Sequence, residues 1–113
     1  MITIYHNNRC STSRAALELL EKSGKKFEVV KYLEEVPSEE ELTKIITLLG
    51  IKPIELVRTK EDIWKEKYKD KKLSGKGIIK AMVKNPKLIE RPIVINGNKA
   101  AIGRPLDNIM EII

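Results

Sequence analysis

The chain has one cysteine, one histidine and few aromatic residues: one Trp, three Tyr and one Phe among 113 residues. A single cysteine cannot form a disulfide within the chain, so Cys10 is a packed small side chain, a reactive thiol or a partner in an intermolecular disulfide. So few aromatic side chains offer little surface for stacking nucleic acid bases. We therefore expect no nucleic acid partner, and no cluster of metal ligands is visible.

Long apolar runs, internal repeats and Gly/Ser-rich linkers are also absent. The apolar runs are short, as at residues 93–95, and the chain enters a strand pattern without a basic region followed by an apolar stretch. We therefore expect a cytoplasmic protein that neither spans nor binds a membrane. A length of 113 residues is the usual size of one domain, so we predict a single domain over residues 1–113 and, by default, a monomer.

The composition that is present favours a folded protein with a basic surface. It is 42% hydrophobic and 34% charged, which supplies both a packed core and a solvated exterior. The net charge of +6 attracts anions in general. Because the lysines are scattered along the chain, we interpret them as a solvated basic surface.

The first 33 residues predict a βαβ unit. Residues 2–6 alternate apolar and polar side chains, which is typical of a strand. Possible cap residues at 11–13 precede an apolar stripe that Gly24 closes, and residues 27–33 predict a second strand. A helix between two strands is typical of a crossover that joins a parallel pair. Cys10 therefore lies where the first strand passes into its helix.

The remainder predicts helices, then a hairpin and a last helix. Ser38 and Glu41 form a capping-box pattern for a helix that Gly50 ends, and residues 51–85 form an interrupted helical insertion with Pro53 in a first turn. Strands at 92–95 and 99–102 flank an Asn-Gly-Asn turn. Pro105 is expected to open a final helix with an apolar stripe of Leu106, Ile109, Met110 and Ile113. This order predicts an α/β, thioredoxin-like (glutaredoxin-like) fold, with a mixed sheet of about four strands and a helical insertion.

Cys10 is the candidate nucleophile because of its position. Unpaired N–H groups and the positive end of the helix dipole stabilise a thiolate there, and the same N–H groups can hold a tetrahedral oxyanion. His6, Arg9 and Arg14 are close enough in sequence to add charge or donors. A buried structural cysteine is the alternative, but polar neighbours on both sides favour the reactive thiol. His6 is equally typical of a hydrogen-bonded structural residue.

Four segments, in order, resemble the ArsC arsenate reductases that use glutathione and glutaredoxin. They are YHNNRCSTSR at 5–14, LVR at 56–58, ERPIV at 90–94 and IGRP at 102–105. The resemblance covers nearly the whole chain. In two respects this chain departs from the family, which often has proline where Asn8 stands and whose longer members continue past the residue matching Ile113.

The resemblance implies a function for several residues. Cys10 would attack arsenate, and His6 would lower the pKa of its thiol. Arginines from three segments would bind the oxyanion, helped by the first turn of the helix: Arg58, Arg91 and Arg104, with Ser11, Thr12 and Arg14. No bound cofactor and no metal are implied, because glutathione acts as a co-substrate and glutaredoxin completes the reduction. Thioredoxin-like folds also place a cis-proline beside the active cysteine, so Pro92 would bring Arg91 next to Cys10.

Two other functions remain open at this point. One is a regulator of the related Spx family, which binds RNA polymerase. Its redox form carries Cys-x-x-Cys, whereas this chain has Ser13 at the second position. The other is a glutathione-dependent monothiol transferase that would use Cys10-Ser11-Thr12-Ser13. A transferase should tolerate the loss of Arg58 or Arg104, and an oxyanion reductase should not.

Overall fold

The computed structural model describes residues 1–113, and the chain divides into two compact units. One unit contains Met1–Glu35 with Arg91–Ile113, and the other is Val36–Glu90. The expectation of a single domain over the whole chain stays a prediction. No helix is both long enough and apolar enough to cross a membrane.

The first unit contains a four-stranded mixed sheet. Its strands are β1 (Ile2–His6), β2 (Phe27–Lys31), β3 (Ile93–Asn96) and β4 (Lys99–Ile102), in the order β2-β1-β3-β4. β1 is parallel to β2 and antiparallel to β3, and β3 is antiparallel to β4. The predicted α/β architecture with a mixed sheet of four strands is confirmed.

Helix α1 (Ser11–Ser23) covers this sheet and follows Cys10, its N-cap residue. The helix ends at Gly24, whose φ of +73° lies in the left-handed region that glycine adopts without a Cβ penalty. The core of the unit contains side chains from the sheet, from α1 and from the C-terminal segment: Ile2, Ile4, Ala16, Leu20, Val94 and Ile109. Helically spaced residues of α1 are buried in this core, whereas β1 is buried at every position except the half-buried Thr3.

Three boundaries in this unit differ from the predictions. β2 ends at Lys31 because its carbonyl accepts hydrogen bonds from the N–H groups of Glu34 and Glu35, which begin a turn. In the hairpin, Asn96 pairs with Lys99, so the turn is two residues long. Of the two turn residues only Gly97 has a positive φ (+63°), as the first central position of a type II′ turn requires.

The C-terminal helix α5 is the third difference, because it contains only Asp107–Met110. A single turn cannot present the predicted stripe. Ile109 is fully buried, Leu106 and Ile113 pack partly against the core, and Met110 is 60% exposed. Pro105 precedes the helix and follows a cis peptide bond with Arg104, and a second cis bond joins Arg91 and Pro92.

The second unit is helical, as predicted. It contains α2 (Glu39–Leu49), a 3₁₀ turn at Pro53–Leu56, α3 (Asp62–Lys67), α4 (Gly75–Lys84) and a 3₁₀ turn at Pro86–Leu88. The Ser38 hydroxyl accepts the N–H of Glu41 at 3.1 Å, and Gly50 (φ +68°) ends α2. α4 packs against α2 and against both 3₁₀ turns.

Candidate active site

The loop between β1 and α1 is held by four hydrogen bonds of its own. The N–H groups of Cys10 and Arg9 donate to the Asn7 carbonyl (3.1 Å) and to Asn7 Oδ1 (2.9 Å). The Asn7 N–H donates to Ser13 Oγ (3.0 Å), and Arg14 Nη1 donates to the Asn8 carbonyl (2.8 Å). The backbone that carries Cys10 is therefore organised before any substrate binds.

Cys10 has the extended backbone of an N-cap residue (φ −97°, ψ 121°), and its side chain is only 7% exposed. Burial by itself raises the pKa of the thiol. The N–H groups of Ser13 and Thr12, together with the Arg91 guanidinium, outweigh burial and lower the pKa of Cys10 to about 7. About half of the sulfur is therefore thiolate at neutral pH. Cys10 is buried, but its surroundings are those of an ionisable thiol.

Two arginines are brought to this sulfur by the β3–β4 hairpin. Ile93 pairs with Ile102 and the Gly103 N–H donates to the Pro92 carbonyl (2.9 Å), so Arg91 and Arg104 lie opposite one another at the ends of the hairpin. This end of β3 neighbours the end of β1 that leads to Cys10.

The two arginines act on the thiol differently. Arg104 Nη2 donates to Cys10 Sγ at 3.2 Å, and Arg104 Nε donates to the Arg91 carbonyl at 3.0 Å. Arg91 stabilises the thiolate through its charge and donors, while its buried Nε has no hydrogen-bond partner. A buried guanidinium nitrogen without a partner is a donor available to an anion. The site therefore combines an ionisable sulfur with two fixed positive charges.

Arg58, the third arginine of the sequence prediction, belongs to the Val36–Glu90 unit. Its backbone N–H donates to the Leu88 carbonyl (2.7 Å) beside an isolated bridge between Val57 and Ile89. Its buried Nε lacks a hydrogen bond and lies 4.0 Å from a carboxylate oxygen of Glu61. Its role in binding an oxyanion stays a prediction.

His6 contacts Ser13 directly. Its Nδ1 lies 2.7 Å from Ser13 Oγ, and the ring is 3% exposed. Burial is the main cause that lowers the pKa of His6 below 6.5, and the positive charges of Lys31 and Arg14 act in the same direction. His6 is therefore mostly neutral at pH 7 and adds little positive charge. Its predicted effect on Cys10 stays a prediction, and the contact that could carry it runs through Ser13.

The other residues of the first turn have different positions. Thr12 contributes its backbone N–H to the thiolate, Ser11 is exposed, and Arg14 uses a guanidinium nitrogen to hold the loop carbonyl of Asn8. Arg14 therefore supports the loop, and its predicted contact with substrate, like that of Ser11, stays a prediction.

Tyr32 is a site residue that the sequence analysis missed. Its side chain is 1% exposed, and its buried hydroxyl has no hydrogen-bond partner. Burial raises the pKa of Tyr32 above 10, although Asn7 and Arg91 nearby act in the opposite direction, so the hydroxyl stays a donor. Because His6 pairs with Lys31 in the parallel ladder, Tyr32 follows β2 at the sheet edge where Asn7 follows β1. Residues just beyond the ends of two parallel strands lie at the same edge of a sheet. The predicted parallel pair was therefore the sequence signal that could have identified Tyr32.

Comparison with known proteins finds relatives over nearly the whole chain. The sequence profile of the ArsC family matches residues 5–112. An uncharacterized protein of Escherichia coli K12, YfgD, is 47% identical over 99% of this chain and 96% of its own length. An arsenate reductase of Neisseria meningitidis serogroup A is 46% identical over 99% and 97% of the two chains.

A solved structure also matches. The putative arsenate reductase from Yersinia pestis superposes with a TM-score of 0.95 at 46% identity and covers 99% of this chain and 100% of that one. The thioredoxin-like fold expected from the sequence is thereby confirmed. The matched region runs from the Cys10 loop through both arginine segments of the hairpin, and the chain belongs to the ArsC family.

Proposed function

We propose that this protein is an arsenate reductase in which Cys10 is the nucleophile and glutathione and glutaredoxin supply the reducing thiols. The observation that carries the proposal is the 3.2 Å contact between Arg104 Nη2 and a sulfur whose pKa is lowered to about 7. A thiolate beside fixed positive charges is suited to attack on a tetrahedral oxyanion. Relatives named arsenate reductase support the same reaction.

In the first step the Cys10 thiolate attacks arsenic. An S–As bond forms, an As–O bond breaks, and the oxygen leaves as water. Arg91 and Arg104 neutralise charge on the remaining oxygens. The N–H groups of the first turn of α1 can also donate to those oxygens. Several planar charged donors suit this task better than a single lysine would.

The reduction needs two further thiols, because the chain has no second cysteine. The glutathione thiol replaces a second arsenic-bound hydroxyl, which leaves as water. The glutaredoxin thiolate then attacks the glutathione sulfur, and the electron pair of the broken S–As bond reduces arsenic from +5 to +3. Water releases arsenite from Cys10. In total, one arsenate and two thiols give one arsenite, one mixed disulfide and one water. We assign this reaction to the cytoplasm, where thiols stay reduced.

A coupled assay tests the proposal. It contains arsenate, glutathione, glutaredoxin, glutathione reductase and NADPH, and it records NADPH oxidation for the wild type and for Cys10→Ser. We expect turnover in the wild type and none in the variant. Equal rates would remove Cys10 from the mechanism, and no wild-type turnover would reject arsenate as substrate.

A second arm separates the reductase from a thiol transferase. Loss of a charged donor to the reacting anion costs about 2–4 kcal/mol, so Arg91→Ala should lower kcat/KM for arsenate by about 30- to 1,000-fold. Arg91→Ala and Arg104→Ala are also assayed with a glutathione mixed disulfide as substrate. Arg104→Ala should lose far more activity with arsenate than with the disulfide. The reverse order would favour the transferase.

A further inference from the structure

A cavity beside the Cys10 loop has charged walls to which the attack on arsenate assigns no task. Its volume is about 390 Å³, within the range of small-molecule sites. One wall is the loop before Cys10, including Asn8 and Arg9, and another is the end of β2 with the turn after it, including Lys31, Leu33 and Glu34. All of these residues belong to the same compact unit as Cys10.

The charges on these walls have no partners in the protein. The side chains of Arg9, Lys31 and Glu34 form neither an ion pair nor a hydrogen bond. Leu33, at 43% exposure, adds an apolar contact between them. The cavity therefore offers two cations, one anion and one apolar surface.

Both walls are fixed by backbone hydrogen bonds. The Arg9 N–H donates to Asn7 Oδ1 at 2.9 Å, and the Glu34 N–H donates to the Lys31 carbonyl at 2.9 Å. The backbone that carries the charged side chains is thus fixed before a ligand binds, which reduces the entropy lost on binding.

We propose that this cavity binds the thiol co-substrate, a small peptide thiol with two carboxylates and one ammonium group, as in glutathione. Arg9 and Lys31 pair with the carboxylates, and Glu34 pairs with the ammonium. The inference rests on the proposed function, because a chain with one cysteine needs an outside thiol. A ligand of net charge −1 meets a cavity whose three charged side chains sum to +1.

The cavity adjoins the loop that carries Cys10. In this proposal the thiol of the bound ligand extends past that loop to arsenic attached to Sγ. The step at this site exchanges one bond for another. The thiol sulfur bonds to arsenic, an As–OH bond breaks, and the hydroxyl leaves as water with the thiol proton. Arsenic is reduced only in the later attack by glutaredoxin on the glutathione sulfur.

The first test compares the double variant Arg9→Gln/Lys31→Gln with Lys25→Gln/Lys26→Gln. The control removes two exposed lysines of the same unit that lie outside the cavity. The cavity variant loses two exposed ion pairs with the ligand, so KM for glutathione should rise about tenfold. KM for arsenate should stay within about twofold, because neither residue contacts Sγ. An unchanged KM for glutathione, or an equal rise in the control, overturns the site.

The second test measures binding without catalysis. S-methylglutathione, which cannot react, is titrated into the protein while backbone amide signals are followed by NMR. We expect shifts at Leu33 and Glu34 and weaker binding by the Arg9→Gln/Lys31→Gln variant. Glu34→Gln should weaken the binding of S-methylglutathione. It should not weaken the binding of the N-acetyl derivative, which lacks the ammonium group. Shifts confined to other regions refute the site.

These tests separate failure of the site from failure of the proposed function. A wild type that binds S-methylglutathione at the cavity but does not reduce arsenate keeps the site and rejects the function. A wild type that reduces arsenate with glutathione, while the cavity variant keeps the wild-type KM, rejects the site alone.

Discussion

Arg104→Ala removes the guanidinium nitrogen that lies 3.2 Å from Cys10 Sγ, and its effect on the thiol can be worked out. Arg104 is exposed, so the interaction is screened by water. Two unit charges at this separation in a dielectric of about 80 interact by about 1.3 kcal/mol. Since 1.36 kcal/mol corresponds to one pH unit, the ionisation midpoint of Cys10 should rise by about one unit.

The assay measures the rate at which iodoacetamide alkylates Cys10 at pH values from about 5 to about 10, in steps of about half a unit. Mass spectrometry records the alkylated fraction. The wild-type rate should have its midpoint at about pH 7, the pKa of Cys10. At pH 7 the thiolate fraction should fall from about a half to about a tenth in the variant, so alkylation slows about fivefold. Above the variant's midpoint the two rates should converge.

Three further variants complete the experiment. Arg104→Lys keeps the charge, so its midpoint should lie between those of the wild type and Arg104→Ala. Lys25→Ala is a control at an exposed residue and should leave the midpoint unchanged. Arg91→Ala should move the midpoint further than Arg104→Ala, because Arg91 is less exposed and its charge is less screened. An unchanged midpoint in Arg104→Ala would refute the conclusion that this contact stabilises the thiolate.

Tyr32, His6 and Gly103 each give a further test. Tyr32→Phe removes a buried hydroxyl without a hydrogen bond, so urea unfolding should show no loss of stability. The value of kcat/KM for arsenate should fall at least about tenfold, because this hydroxyl is a donor available to the oxyanion. For His6, whose pKa is lowered by burial, the unfolded state binds more protons below pH 6.5; the free energy of unfolding should therefore fall from pH 7 to pH 5, and fall less in His6→Asn. Gly103→Ala would place a Cβ 2.7 Å from Ile109 Cδ1 and should cost about 1–3 kcal/mol in thermal or urea unfolding, whereas Gly77→Ala inside α4 should be neutral or stabilising.

Each of these predictions can fail separately. A Tyr32→Phe protein that is less stable but fully active would make the hydroxyl structural. Identical pH dependence in wild type and His6→Asn would mean that His6 titrates alike in the folded and unfolded states. Equal stability of the two glycine variants would show that the chain beside Gly103 yields without cost.

The elements that the sequence predicted best are those whose signals are local. Gly24 and Gly50 end their helices with positive φ, and the Ser38 hydroxyl binds the N–H of Glu41, because caps depend on neighbours within one turn. The N-cap position of Cys10 is local in the same sense, so its chemistry was visible before the fold was known. The predicted end of β2 and the predicted length of α5 were wrong, because packing and the hydrogen bonds of turns define them.

The sequence by itself determined the strand-to-helix junction that ionises Cys10 and the hairpin turn at Gly97, since both depend on residues close together in the chain. Only the tertiary structure decided which distant groups face that sulfur. Arg104 reaches it across 94 positions through the register of two antiparallel strand pairs, and Tyr32 reaches the same edge through a parallel pair. Burial decided the charge of His6, because the cost of desolvating an imidazolium depends on the folded surroundings and on no local motif.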